Sequence, residues 1–134
     1  MTLGLAIAIA VGGALGALLR YGAQLLWPAR GAHVPIAVLL VNVVGSATAG
    51  AFLALSQADV VDPAVALIVM TGFCGGLTTF STFAVETVEL ATGSSWRPAA
   101  ANIVLNLVLG LGAAAFAFAI TTGVILTTSS AFVG

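Results

Sequence analysis

Apolar residues run along this chain in four long stretches, separated by three short polar ones. The first stretch, about 3–26, is closed by Trp27-Pro28 and carries Arg20 and Tyr21 near its end. The second, about 36–56, follows a loop with Arg30 and His33 and is opened by Pro35, a residue suited to a first helical turn. The third, about 64–85, follows Asp59 to Pro63 and ends at Glu86 and Glu89. The fourth, about 99–121, follows Gly93-Ser94-Ser95-Trp96-Arg97 and opens at Pro98. Each is near the ~20 residues a helix needs to cross a bilayer. The pattern predicts an all-α integral membrane protein, with residues 1–134 forming one membrane domain of four spanning helices.

The third stretch is interrupted. Gly72-Phe73-Cys74-Gly75-Gly76-Leu77-Thr78-Thr79-Phe80-Ser81-Thr82-Phe83 packs three glycines into five residues, then four hydroxyls and two phenylalanines into six. Glycine weakens a helix. In a bilayer, the N–H and C=O groups freed by a break are tolerated only where protein or a water-filled cavity satisfies them. A break crowded with hydroxyls reads as a place built to hold an ion. The expected unwinding is at Gly75 and Gly76.

Composition removes most other functions. The 134 residues are 61% hydrophobic and 5% charged, where a soluble domain carries about 25% charged residues. Arg20, Arg30 and Arg97 are the only Lys or Arg residues, so nothing could hold a nucleic-acid backbone. The lone Cys74 excludes an internal disulfide and a multi-cysteine metal site. No basic segment precedes the first apolar stretch, which is read as a span rather than a cleaved leader. Small residues recur four apart, at Gly12/Gly16, Ala47/Ala51, Gly72/Gly76 and Gly110/Ala114, as close helix packing in lipid requires. Four short helices enclose little volume, which points to an oligomer.

Catalysis has little support. Ser81 lacks a nucleophile elbow, and the single His33 lies in a loop. Asn42, Asn102 and Asn106 are amides within spans, and buried amides need partners. They serve either interhelical hydrogen bonding or an ion path. With Thr78, Thr79, Ser81 and Thr82 they exceed what packing alone needs. Glu86 lies next to this hydroxyl run and either lines a vestibule or marks a hydrated helix end. Arg20 snorkels, hydrogen-bonds loose carbonyls at a helix end, or helps form a vestibule that attracts anions. Phe80 and Phe83, three apart, share a helix face, and the positive edge of an aromatic ring can approach an anion without a formal charge.

Three pieces carry a family resemblance: Gly12-Gly13-Ala14-Leu15-Gly16-Ala17-Leu18-Leu19-Arg20-Tyr21, Val41-Asn42-Val43-Val44-Gly45-Ser46, and Gly72 to Phe83 with Glu86 beyond. In order and spacing the chain resembles the Fluc (CrcB) fluoride channels along nearly its whole length. The resemblance implies a dimer of four-helix subunits inserted antiparallel, with two fluoride pathways at the interface. It implies a passive fluoride exporter of the cell membrane rather than an enzyme. It further implies a sodium ion held by backbone carbonyls at the third-helix break, around Gly75, Gly76, Thr78 and Thr79. Phe80 and Phe83 match the aromatic pore residues, Asn42 the pore donor, and Ser81 and Thr82 the hydroxyl track. Asn102 and Asn106 depart from the family's more common tyrosine and serine. The alternative is a small dimeric multidrug or proton-coupled transporter. It would need a membrane-embedded carboxylate, and the first, second and fourth spans contain none.

Charge bears on insertion. Arg20, Arg30 and Arg97 fall toward one side, and the loop with Asp59 and Asp62 lies with both termini on the other. The positive-inside rule favours cytoplasmic first and third loops, by a bias of only two or three residues. So weak a bias permits a dual-topology homodimer. A decisive one would require an oppositely oriented homologous partner.

Overall fold

A computed structural model describes residues 2–28, 34–93 and 95–133. Arg30 and His33 of the first loop and Ser94 of the third lie outside the described residues. Helix α1 spans Leu3–Leu26 and α2 spans Ile36–Gln57. The third crossing, Pro63–Ala91, is composite. It runs as α3 (Pro63–Leu67), a π-helical stretch (Ile68–Cys74), α4 (Gly75–Leu77) and, after a break, α5 (Phe80–Ala91). Helix α6 spans Arg97–Val133. Each crossing is long and apolar enough to span a membrane, and the chain is a multi-pass membrane protein.

Small side chains decide how these crossings pair. On α1, a Cβ added to Gly12 would sit 3.2 Å from the Ile68 carbonyl oxygen, and one on Gly16 would sit 2.7 Å from the Leu77 nitrogen. The third crossing reciprocates: a Cβ on Gly72 would lie 2.6 Å from the Ile9 carbonyl oxygen. Backbones therefore touch along α1 and the third crossing. Helices α2 and α6 pair with the same economy. Asn42 meets Asn106, Ser46 faces Gly110, and Gly50 lies against the Ala114 backbone. These residues recur four apart on both helices, so α2 and α6 run parallel in constant register. The packing line of α2 passes through Ser46 and Gly50, beside the expected Ala47/Ala51 pair.

The break lies later than glycine content predicts. Gly75 and Gly76 remain helical, and the extended residues are Thr78 (φ −77°, ψ 154°) and Thr79 (φ −148°, ψ 119°). Glycine here serves close approach: Gly76 is pressed against the Gly13 backbone. Two adjacent threonines make the break and cap both sides of it. Thr78 returns its amide (2.9 Å) and its hydroxyl (2.8 Å) to the Cys74 carbonyl, closing α4. Thr79 is the N-cap of α5 and accepts from the Thr82 amide at 3.2 Å. Such a cap typically contributes ~1 kcal/mol.

Two helices outrun their apolar stretches. Helix α5 carries Glu86 and Glu89 inside its last turns and ends at Ala91. Helix α6 has 37 residues, about 55 Å at 1.5 Å per residue, against a hydrocarbon core of about 30 Å. The Ser and Thr of its tail stay compatible with helix by returning hydroxyls to earlier carbonyls, as Thr128 does to Val124 and Ser129 to Ile125.

Candidate functional site

The break opens onto a cleft of about 290 Å³ between the third crossing, α2 and α6. The third crossing contributes Thr78, Thr79, Phe80 and Phe83; α2 contributes Asn42 and Ser46; α6 contributes Asn106 and Leu107. No charged side chain lines it. The two rings stand 5.8 Å apart, centre to centre, tilted by 49°. Phe80 is 80% exposed on the open side of the cleft, an unusual position for a phenylalanine unless lipid or another protein covers it.

Asn42 ties the break to the rest of the bundle. Its Oδ1 accepts from the Thr79 amide at 2.9 Å, and its Nδ2 donates to Asn106 Oδ1 at 3.0 Å. The Thr79 amide is thereby diverted from the Gly75 carbonyl it would bond in a continuous helix. The Thr82 amide, bonded to Thr79 Oγ1, is likewise diverted from the Thr78 carbonyl. Helix α4 thus ends with the carbonyls of Gly75, Gly76, Leu77 and Thr78 without helical donors, as a helix C-terminus leaves them. On the other side of the break α5 begins, and its first N–H groups form the positive end of a 12-residue helix. Free carbonyls suit a hard cation, and free N–H groups suit an anion.

The remaining hydroxyls gather around one atom. Thr79 Oγ1 lies 3.2 Å from Ser81 Oγ and donates to Thr82 Oγ1 at 3.1 Å. Ser81 and Thr82 therefore form a hydroxyl cluster with Thr79 but do not line the cleft. Glu86 lies one helical turn past Thr82 and outside the cleft wall; its Oε2 is buried with no hydrogen-bond partner in the subunit. Arg20 is half-buried on α1 and is not part of the cleft. Among the described residues no group of His, Cys, Asp and Glu could hold a metal ion, so any cation here must rely on carbonyl and hydroxyl oxygens.

The sequence reading missed two wall residues. Ser46 sits one turn past Asn42 on the same face, a spacing that could have revealed it. Leu107 carries no chemical signal. Asn102, weighed with Asn106 as a path residue, is fully buried and bonded to Thr87 Oγ1 at 2.9 Å, away from the cleft.

Comparison with known proteins covers most of the chain. The family described as "CrcB-like protein, Camphor Resistance (CrcB)" matches residues 7–119. The "Fluoride-specific ion channel FluC 1" of Yersinia pseudotuberculosis is 42% identical over 113 residues, 84% of this chain and 89% of the relative. The "Fluoride-specific ion channel FluC" of Saccharophagus degradans is 38% identical over 116 residues, 86% and 87% of the two chains. That of Aeromonas salmonicida is 45% identical over 105 residues, 77% and 84%. With a match across four helices, a broken third crossing and an uncharged cleft at the break, the chain belongs to the CrcB family.

Proposed function

We propose that this chain is a passive, fluoride-selective channel of the cell membrane, and not an enzyme. The observation that carries the reading is the cleft itself. Two aromatic rings, an amide held in fixed orientation and the N-terminus of α5 converge there with no Lys or Arg in the wall. Fluoride is small and strongly hydrated, so its water must be replaced by dense donors. A conductor must also release the ion, and a fixed cationic side chain would trap it. Amide, backbone and ring-edge groups provide attraction without that trap. The names of the relatives select fluoride among small anions.

The open cleft supports a dimer. Phe80 is exposed in the single subunit, and one wall of the path is missing. A second copy inserted in the opposite direction would supply it, giving two equivalent paths at one interface. The homodimer is the preferred assembly; a homologous subunit of opposite orientation is the alternative partner.

A sodium ion fits the break. The carbonyls of Gly75, Gly76, Leu77 and Thr78 end α4 without helical donors. These oxygens, with Thr79 beside them, would hold the cation. Its charge would offset the negative end of α4 and link facing subunits.

The test is efflux from proteoliposomes holding the purified protein, read with a fluoride electrode and a chloride electrode. Fluoride should leave rapidly without an energy source while chloride stays. Equal rates for the two ions would reject the fluoride-selective reading.

A further inference from the structure

Five hydrogen bonds run head to tail between two backbone groups of the third crossing. The Thr79 amide donates to Asn42 Oδ1 (2.9 Å), and Asn42 Nδ2 to Asn106 Oδ1 (3.0 Å). Asn106 Nδ2 donates to Asn102 Oδ1 (3.1 Å) and to the Asn102 carbonyl (3.0 Å). Asn102 Nδ2 donates to Thr87 Oγ1 (2.9 Å), and Thr87 Oγ1 to the Phe83 carbonyl (2.6 Å). Both ends are obligate: a backbone N–H only donates, and a carbonyl only accepts. The direction of every amide between them is therefore dictated. Bonds aligned this way also polarise one another in a low-dielectric interior.

The consequence falls on Asn42, which lines the cleft. Its Oδ1 must face the break and its Nδ2 must face Asn106. One of its two amide hydrogens is used inside the ladder, and one is left for an ion. Were this amide flipped, a carbonyl oxygen would meet the anion and repel it. Asn102 is 0% exposed and does not line the cleft, yet it supplies both acceptors that hold Asn106.

We propose that Asn102 and Thr87 are positioning residues for the ion path: acting through Asn106, they lock the Asn42 amide in the orientation that offers N–H to an anion. The proposal rests on the fluoride-channel reading for its functional consequence, while the ladder itself can be tested independently.

The experiment compares the parent with Asn102→Leu, Thr87→Val and Thr87→Ser in proteoliposomes, with dimer elution checked for each. Asn102→Leu and Thr87→Val should each slow fluoride efflux about tenfold, equivalent to about 1.4 kcal/mol, on the scale of a lost buried hydrogen bond. Thr87→Ser keeps the hydroxyl and should recover most of the rate. Should Asn102→Leu fail to fold, the two Thr87 variants decide. Parental rates in Thr87→Val, or equal loss in Thr87→Ser, would overturn the proposal. A second readout needs no conduction: the side-chain amide of 15N-labelled Asn42 should exchange hydrogen slowly in the parent and faster in Thr87→Val. Unchanged exchange would refute the ladder. A parent that passes no fluoride but shows the protected amide would count against the channel reading alone.

Discussion

Gly76 of α4 stands against the backbone of Gly13 on α1 with no room for a side chain: a Cβ there would meet Gly13 Cα at 2.9 Å. Gly75, its neighbour, has nothing within 4 Å on its open side. Both glycines are expected from the sequence to unwind the helix, and only Gly76 belongs to a small-residue pair; in the fold the two are opposite. Gly76→Ala should lower subunit stability by about 1–3 kcal/mol, the usual cost of overpacking. Gly75→Ala should keep helix content and thermal midpoint near parental values. Circular dichroism melts in detergent would separate them. Equal destabilisation by both would mean that the pair serves backbone unwinding after all.

Phe80→Ile and Phe83→Ile test the aromatic wall. Isoleucine keeps the apolar character of each position but removes the positive ring edge that would face an anion. Both variants should elute as the parent does and pass fluoride at least about tenfold more slowly, the loss expected for ~1.4 kcal/mol of lost stabilisation along the path. Parental flux in both variants would reduce the rings to packing residues.

The reach of the sequence can be judged from the break. The number of crossings and an interruption in the third were legible, because apolar run length and glycine density act locally. Where the chain turns extended was not. Thr78 and Thr79 make the break because Asn42 draws the Thr79 amide away from its helical carbonyl, and Asn42 is 37 residues distant. The same holds for Asn102 and Asn106. Both are amides one turn apart in sequence, but only Asn106 reaches the cleft, because register with α2 sets which face is covered. Small-residue spacing signalled close packing without naming partners, so Gly50 on α2 went unnoticed beside Ala47 and Ala51. The helical tail of α6 was hidden by its hydroxyls, which look like loop chemistry until they bond their own helix.

The proposed sodium site predicts a cation-dependent stability. A ligand held only by the folded assembly stabilises it by RT ln(1 + [L]/Kd), about 2.7 kcal/mol at a hundredfold excess over Kd. Dimers exchanged from sodium into a bulky organic cation should melt earlier and dissociate more readily. Returning sodium should restore them, and potassium should do so less well. Because the ligands are carbonyls, Thr79→Ser should retain the effect. A dimer indifferent to complete sodium removal would exclude a cation at the Gly75 to Thr78 carbonyls.

Insertion direction is open to a direct test, and the fold supplies the position. Arg20 lies in the last turns of α1, and Arg97 is the first residue of α6. These ends share one side of the bundle, because the helices alternate in direction. The turn with Asp59 and Asp62 joins α2 to α3 on the opposite side, where α6 also ends. The first side also carries Arg30 in its loop and the opposite turn has no Lys or Arg, so the positive-inside bias is two or three residues, too small to commit every copy. Ser130 is exposed near the end of α6, past the last turn of α2. A single Ser130→Cys in a Cys74→Ala background removes the buried native thiol and offers one outside the bundle. An impermeant thiol reagent applied to sealed vesicles should then label about half of the molecules from either face, as a weakly biased chain requires. Labelling from one face alone would rule out the dual-topology homodimer. In that case the open cleft at Phe80 would have to be closed by a homologous subunit of opposite orientation.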